Sequence, residues 1–312
     1  MPHKRRKETK KARDARRADA TEATDRAVST AELEDVAGRV PADPDYPRYR
    51  VEPGETIKLK ALDPDESEHY RDKEEVKDEL KRQRERIEDL QERLYAEHKQ
   101  SLLIVLQAID TGGKDGTISH VFEDVNPQGC QVWPFKVPTE EELAHDFLWR
   151  AHKVTPRKGM IGVFNRSYYE DVIVVRVHKL VPDKVWKMRY DQINEFERTL
   201  ALNNTTVIKF YLHISKDEQK RRLQSRLEDP TKHWKFNTND IKERAYWDDY
   251  MAAYEDAINK CSTNYAPWYI VPANKKWYRN LVVARTIADT LEAMNPQYPP
   301  AEEGLDKVTI PD

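Results

Sequence analysis

The 312-residue chain predicts an α/β fold, a central parallel sheet flanked by helices, and three observations carry that prediction. Apolar runs near 102–109, 131–135, 160–164, 206–213 and 268–272 alternate with segments of helical period, the order of a parallel sheet with helices on both faces. The first run leads straight into Asp110-Thr-Gly-Gly-Lys-Asp-Gly-Thr117 and then into a helical stretch, and strand, glycine loop, helix is the build of a phosphate cradle. At 38% hydrophobic content the chain can bury one α/β domain plus extensions, so a second full domain is not required.

From the N-terminus, residues 1 to about 26 string together Lys4, Arg5, Arg6, Lys7, Lys10, Lys11, Arg13, Arg16 and Arg17 with almost no large apolar side chain. Such a segment lacks the burial that would offset its ordering entropy, and a flexible basic arm is expected over 1–45. It reads first as a solvated terminus, with a nucleic-acid tail or a loose tether for a polyanion as alternatives. Pro41, Pro44, Pro47, Pro53 and Pro64 mark 40–66 as an extended lead-in over the body. A long helix follows over about 70–98, where Val76, Leu80, Ile87, Leu90 and Leu94 form a narrow apolar stripe that packs on the domain or on a partner subunit. The body itself is expected over 101–295, with a tail over 296–312.

Within the body, Thr139-Glu-Glu-Glu142 is a capping box, and Leu143, Phe147 and Ala151 then step by four, which predicts one helix after the second apolar run. Phe135, Lys136, Pro138 and Thr139 stand at its mouth, and Trp149 on it reads as a packing residue or as a neighbour of a base. A second box, Ser215-Lys-Asp-Glu218, opens a basic helix through Lys220, Arg221, Arg222 and Arg226 to Asp229-Pro-Thr-Lys-His-Trp-Lys235. Arg222 and Arg226 are four apart, so one face can turn two guanidinium groups toward a phosphate. A solvated helix face is the plainer reading; beside a phosphate loop the same charges suit a lid over about 215–250 that closes and expels water.

The chemistry centres on the glycine loop. Gly112, Gly113 and Gly116 let backbone N–H groups turn inward, Lys114 adds a positive charge, and the following helix aims its positive dipole end at the same spot. Asp110 is the odd residue, because a carboxylate in a phosphate nest repels its ligand unless a divalent cation lies between them, so the loop predicts Mg2+ as well as phosphate. The loop departs from G-x-x-x-x-G-K-[ST] in two places: Ala108 stands for the first glycine and Asp115 for the metal-binding hydroxyl, with Thr117 two places later. After the third apolar run comes Asn165-Arg-Ser-Tyr-Tyr-Glu-Asp171, at a strand's carboxyl end where such folds bind ligands. Asn165 is neutral, so Asp110 or Glu170 has to supply the charge a metal prefers. The fork of Arg166 can neutralise phosphoryl oxygens as charge develops; an ion pair with Glu170 or Asp171 is its other reading.

Four ordered segments, Asp110-Thr-Gly-Gly-Lys-Asp-Gly-Thr117, Phe164-Asn-Arg-Ser-Tyr-Tyr-Glu-Asp171, Asp229-Pro-Thr-Lys-His-Trp-Lys235 and Trp268-Tyr-Ile-Val-Pro-Ala-Asn-Lys-Lys-Trp-Tyr-Arg279, together resemble the polyphosphate kinase 2 family, class III, over roughly 45–295. The resemblance implies a P-loop kinase fold related to thymidylate kinase, a helical lid, inorganic polyphosphate as donor, and AMP and ADP as acceptors giving ADP and ATP. It implies that Asp110 holds Mg2+, with Mn2+ an alternative, and helps orient the acceptor phosphate, while Lys114 contacts the transferring group. Gly112, Gly113, Arg166, Arg176, Arg222 and Arg226 would line the polyphosphate path, and Asn165 and Glu170 would serve the nucleotide. Many relatives outside class III carry Asp where this chain has Asn165, which leaves the second metal ligand open, with Glu170 the place to look. A homo-oligomer is also expected, since family members assemble.

Charge and cysteines narrow the surroundings. A formal net charge of −3 with 35% charged residues leaves polyanion affinity to local clusters, and nucleic acid is not the expected partner. Cys130 and Cys261 form neither a disulfide framework nor a metal spacing and read as packing residues in a reducing cytoplasm. No run has the length of a membrane span and no secretory leader is evident. Two rival functions keep the loop: an ATP-dependent nucleoside monophosphate kinase, and a non-catalytic nucleotide or polyanion binder recruited by the basic arm. The missing first glycine and the cation-rich lid weigh against the first, and the carboxylate in the nest against the second.

Overall fold

The computed structural model describes residues 49–305 and 308–310; the expected basic arm, and the start of the lead-in with it, lie outside the described residues. Six strands form one sheet: β1 (Arg50–Val51), β2 (Ser101–Gln107), β3 (Cys130–Pro134), β4 (Ile161–Asn165), β5 (Thr205–His213) and β6 (Trp268–Pro272). Their spatial order is β1-β6-β5-β2-β4-β3. The five strands read from the apolar runs are mutually parallel, and β1, from the lead-in, adds an antiparallel edge on β6. All seven residues of β2 are buried, as a continuous Leu/Ile/Val run requires when both faces of a parallel strand are covered. Register brings two carboxyl ends together: Leu106 pairs with Asn165, and the Arg166 N–H donates to the Leu106 carbonyl at 3.0 Å. The glycine loop and the Asn165–Asp171 segment therefore emerge side by side.

The long helix α1 (Lys73–Glu97) starts where the Asp72 carboxylate accepts from the N–H groups of Glu74 and Glu75. Val76, Ile87, Leu90 and Leu94 are buried against the domain, with the last long helix of the chain, Lys276–Met294, as the neighbour. Of the two readings of the stripe, packing on the domain is the one realised, with Leu80 partly buried beside the four. Next come α2 (Lys114–Val121), α3 (Glu140–Leu143) and α4 (Trp149–His152). The expected single helix over the last two is broken. Both halves of the Thr139–Glu142 capping box form, but the Asp146 carboxylate accepts from the Leu148 N–H at 2.9 Å and turns the chain, leaving Leu143 69% exposed while Ala151 is buried. Trp149 stacks on His145 at 4.0 Å between centroids rather than lying in the core.

The remaining helices are α5 (Val174–Val177), α6 (Asp183–Leu202), α7 (Lys216–Glu228), α8 (Thr238–Glu243), α9 (Trp247–Cys261) and α10 (Lys276–Met294). Lys209 and Tyr211, alternate residues of β5, reach Glu197 of α6 and Tyr254 of α9, so those two helices cover one face there. The helix α10 packs on β5 and β6, with α1 against it. The segment expected to be a lid forms α7, a 3-10 turn over Pro230–Lys235 and α8, and the chain returns through α9 to β6. Both cysteines are reduced and packed, and burial pushes each thiol up to about 12. Among the described residues no helix is long and apolar enough to cross a membrane.

Candidate active site

The loop between β2 and α2 needs glycine at two points. A Cβ on Gly112 would stand 2.4 Å from the Ala108 Cβ and 2.8 Å from the Ile109 carbonyl oxygen. Gly113 caps α2 at φ +103, and a Cβ there would lie 2.1 Å from Nη1 of Arg279. Ala108 is thus tolerated where a glycine was expected because Gly112 supplies the empty space between them. Lys114 is 9% exposed and donates to the Ala108 carbonyl at 3.0 Å. Burial, helped by the nearby Arg166 charge and opposed by Asp110, lowers its ammonium pKa to about 8. Thr117 is not a spare metal-binding hydroxyl: it is fully buried and donates back to the Gly113 carbonyl at 3.1 Å.

Across the loop stands Arg166, its backbone left-handed at φ +61. One arm of the guanidinium donates to Oδ1 of Asp110 at 2.5 Å and the other to Oε2 of Glu170 at 3.1 Å. Glu170 above all, with Asp110, holds its pKa higher than usual against burial, so the charge is permanent. The Gln107 side chain bridges Ser167 and Glu170, its nitrogen 3.0 Å from Glu170. Asn165 donates to Oδ1 of Asp115 at 2.6 Å. Asp171, one of the two partners expected for Arg166, instead faces Arg189 at 3.3 Å and Arg150 at 3.6 Å; burial nevertheless raises its carboxyl to about 6.

The two arginines of the expected lid divide. Arg222 is 8% exposed, and its guanidinium donates to the carbonyls of Thr111, Gly112, Ala273 and Asn274 and to Glu218. It therefore does not present itself beside Arg226 to a phosphate. It ties down the carbonyl oxygens of Thr111 and Gly112 in the loop, while the Gly112 N–H donates to the Ile109 carbonyl at 2.9 Å. Arg226 stays within its own segment, 3.6 Å from Asp240 and donating to the Lys235 carbonyl. Arg176 also departs from its expected place: it donates to Asp256 of α9 at 2.6 Å and lies over the Trp186 ring, partners that belong to α9 and α6 and not to the loop. Gln219 of α7 links lid and loop, donating to the Asp110 carbonyl while accepting from Arg244.

A family model for polyphosphate kinase 2 matches residues 70–299 of the chain. The chain belongs to the polyphosphate kinase 2 family. An AMP/ADP-polyphosphate phosphotransferase of Meiothermus ruber is 53% identical over 264 residues, 84% of this chain and 99% of that protein. An ADP-polyphosphate phosphotransferase of Rhodopseudomonas palustris is 45% identical over 264 residues, 81% of this chain and 91% of that protein. Among solved structures, polyphosphate kinase 2 from Arthrobacter aurescens TC1 superposes with a TM-score of 0.80 at 46% identity, covering 83% of this chain and 93% of that one.

In this polyphosphate kinase 2 chain the residues at the loop suit a hard divalent cation. Asp110, Asp115 and Glu170 offer oxygen alone, and the Thr111 hydroxyl is buried with no hydrogen-bond partner. Among the described residues no cluster of three or more acidic, histidine or cysteine side chains forms a self-sufficient cage. One or two carboxylates plus substrate phosphates is the way Mg2+ is ordinarily held, so the donor set fits.

One residue of this kinase escaped sequence reasoning. Arg279 is 2% exposed, sits behind Gly113, and bonds only to the Asn280 side-chain oxygen among the contacts resolved for it. Burial first, and then the neighbouring Arg222 charge, lowers its pKa to about 9. Two buried guanidinium groups behind one loop give the nest a positive floor. The available signal was its place as the last residue of the Trp268–Arg279 segment, one turn beyond Lys275 and Lys276.

Proposed function

We propose that this polyphosphate kinase 2 member moves the terminal phosphoryl group of inorganic polyphosphate to AMP and ADP, giving ADP and ATP, as in class III. The observation that carries the reading is the junction of Lys114, Arg166 and Asp110 at the glycine loop, in a chain 53% identical to a protein named for AMP/ADP-polyphosphate phosphotransfer. Both reactants are polyanions, so catalysis rests on alignment and charge neutralisation. Gly112 and Gly113 shape the cradle for the donor, the Gly112 N–H itself being tied to the Ile109 carbonyl at 2.9 Å, with Arg226 of the lid along the chain. Lys114 contacts the transferring phosphoryl group from the loop, and Arg166 meets it from the opposite wall.

Asp110, with Glu170 as the second carboxylate, would hold Mg2+ or Mn2+, which when bound supplies further neutralisation at phosphoryl oxygens. Asn165 and Glu170 face the acceptor nucleotide. The acceptor phosphate oxygen is already deprotonated near neutrality, so no general base is needed, and transfer runs in line without a covalent enzyme intermediate. Closure of the lid expels water that would otherwise take the phosphoryl group.

The test is to incubate the protein with AMP, Mg2+ and polyphosphate, no ATP present, and to resolve nucleotides by anion exchange beside Lys114→Ala. ADP followed by ATP, absent from the variant, is the expected result. Product only when ATP is supplied would make the chain an ATP-dependent nucleoside monophosphate kinase, and binding with no product under either condition would make it a polyanion binder.

A further inference from the structure

The segment that carries Arg166 is anchored by a buried polar cluster that phosphoryl transfer itself does not call for. Tyr168 and Tyr169, both fully buried, donate their hydroxyls to one oxygen of Glu197 in α6, at 2.8 and 2.9 Å. The other oxygen of Glu197 takes the Lys209 ammonium of β5 at 2.5 Å. The same ammonium donates to the Cys261 carbonyl, at the end of the helix that returns from the lid, at 2.7 Å. All four side chains are closed to solvent, with the rings of Tyr169 and Trp268 each 5.5 Å from the ammonium. Burial pushes the Glu197 carboxyl up and the Lys209 ammonium down, and each partner's charge resists the shift of the other.

An ion pair this deep pays a desolvation cost that packed apolar residues of equal volume avoid, so stability does not explain it; a fixed geometry does. What lies next to it is one of the site's two left-handed non-glycine residues, Thr111 of the loop at φ +64 being the other. Arg166 has φ +61, a conformation uncommon for a non-glycine residue, and contacts on both sides of it hold it there. On one side its N–H is tied to Leu106 of β2. On the other, the buried Ser167 hydroxyl accepts from the Tyr169 N–H at 3.1 Å, and the two tyrosine hydroxyls run down to Glu197.

We propose that Glu197 and Lys209 are positioning residues for phosphoryl transfer, holding the Arg166 backbone through the hydroxyls of Tyr168 and Tyr169 so that its guanidinium bridges Asp110 and Glu170. The proposal rests on the reading that Arg166 meets the donor phosphate.

The test is a double-mutant cycle with two pairs. Tyr168→Phe with Tyr169→Phe removes only two hydroxyls, and Glu197→Gln with Lys209→Met removes both charges without orphaning either. Each pair is made in the native chain and in an Arg166→Ala chain, with circular dichroism to verify folding. The readouts are kcat/KM for polyphosphate with AMP and, independent of turnover, the Kd of inorganic tripolyphosphate by calorimetry. In the native chain each pair is expected to lower kcat/KM at least tenfold and to raise the Kd at least threefold. In the Arg166→Ala chain both quantities stay within twofold, because nothing is left to position. Unchanged values in the native chain, or equal fold-losses in both chains, overturn the proposal. If the charge pair does not fold, the tyrosine pair decides. If the native chain makes no ADP, the functional reading fails, and the tripolyphosphate cycle alone decides the positioning role.

Discussion

Replacing Gly113 by alanine attacks the phosphate loop at the point where two separate costs meet. The backbone stands at φ +103, where an L-residue pays about 1–2 kcal/mol. The new Cβ would also fall 2.1 Å from Nη1 and 3.2 Å from Cζ of Arg279. That guanidinium has no room to retreat: it is 2% exposed, Arg222 lies alongside, and its Nε and Nη2 are tied to Asn280. Breaking that tie in a buried setting costs a further 1–3 kcal/mol or so. The total, about 2–5 kcal/mol, converts to a fall in Tm of roughly 3–9 °C for a chain of this size.

Gly54→Ala separates the two costs. Gly54 has φ +82 but nothing within 4 Å of a Cβ, so it carries the backbone strain alone, about 1–2 kcal/mol. Scanning calorimetry of the two variants, with the polyphosphate-dependent rate measured on each, gives the comparison. Gly113→Ala should melt clearly below Gly54→Ala and lose most of its activity, since the N–H groups of the cradle move with the loop, while Gly54→Ala keeps the native rate. Equal melting temperatures, or a fully active Gly113→Ala, would refute the claim that Arg279 buttresses the loop.

Other expectations follow from the same geometry. Lys114 titrates near 8, lowered from its ordinary value by burial, so in the free protein its charge is present below that pH and is lost as pH rises through it. The value of kcat/KM for polyphosphate should therefore fall above pH 8, and a profile flat to pH 9.5 would contradict the assignment. Asn165 donates to Asp115 at 2.6 Å beside the Asp110–Glu170 pair, so Asn165→Asp adds negative charge there and the Mg2+ concentration for half-maximal rate should fall several-fold in a metal titration; a rise would count against a cation held beside that edge. Arg222→Met removes the shared donor of the Thr111 and Gly112 carbonyls in the loop, of the Ala273 and Asn274 carbonyls after β6 and of one oxygen of Glu218, and urea unfolding should report a loss of about 3–5 kcal/mol.

The sequence alone determined the layers of this protein and which residues gather at its candidate site. Five apolar runs gave the five parallel strands, because a strand buried on both faces must be apolar along its whole length, and that signal is local. Asp110, Lys114 and Arg166 were legible for a related reason: a carboxylate and a lysine inside a glycine loop have few other uses, and strand order puts Asn165–Asp171 at the same edge of the sheet. What a charged side chain does beyond such a loop was not legible, since a guanidinium reaches far and its partner is set by packing. Arg222 turned inward to the loop carbonyls and Arg176 to Asp256, while Arg279, unremarked in its helix, came to lie behind Gly113. The break at Asp146 and the pairing of Glu197 with Lys209 were equally hidden. The first turns on one side chain competing for a backbone N–H, the second on two residues twelve apart meeting only because α6 lies on β5. Period and composition report burial, which each residue carries in its own chemistry; the partner of a buried charge depends on which elements are stacked, and only the tertiary structure decides that.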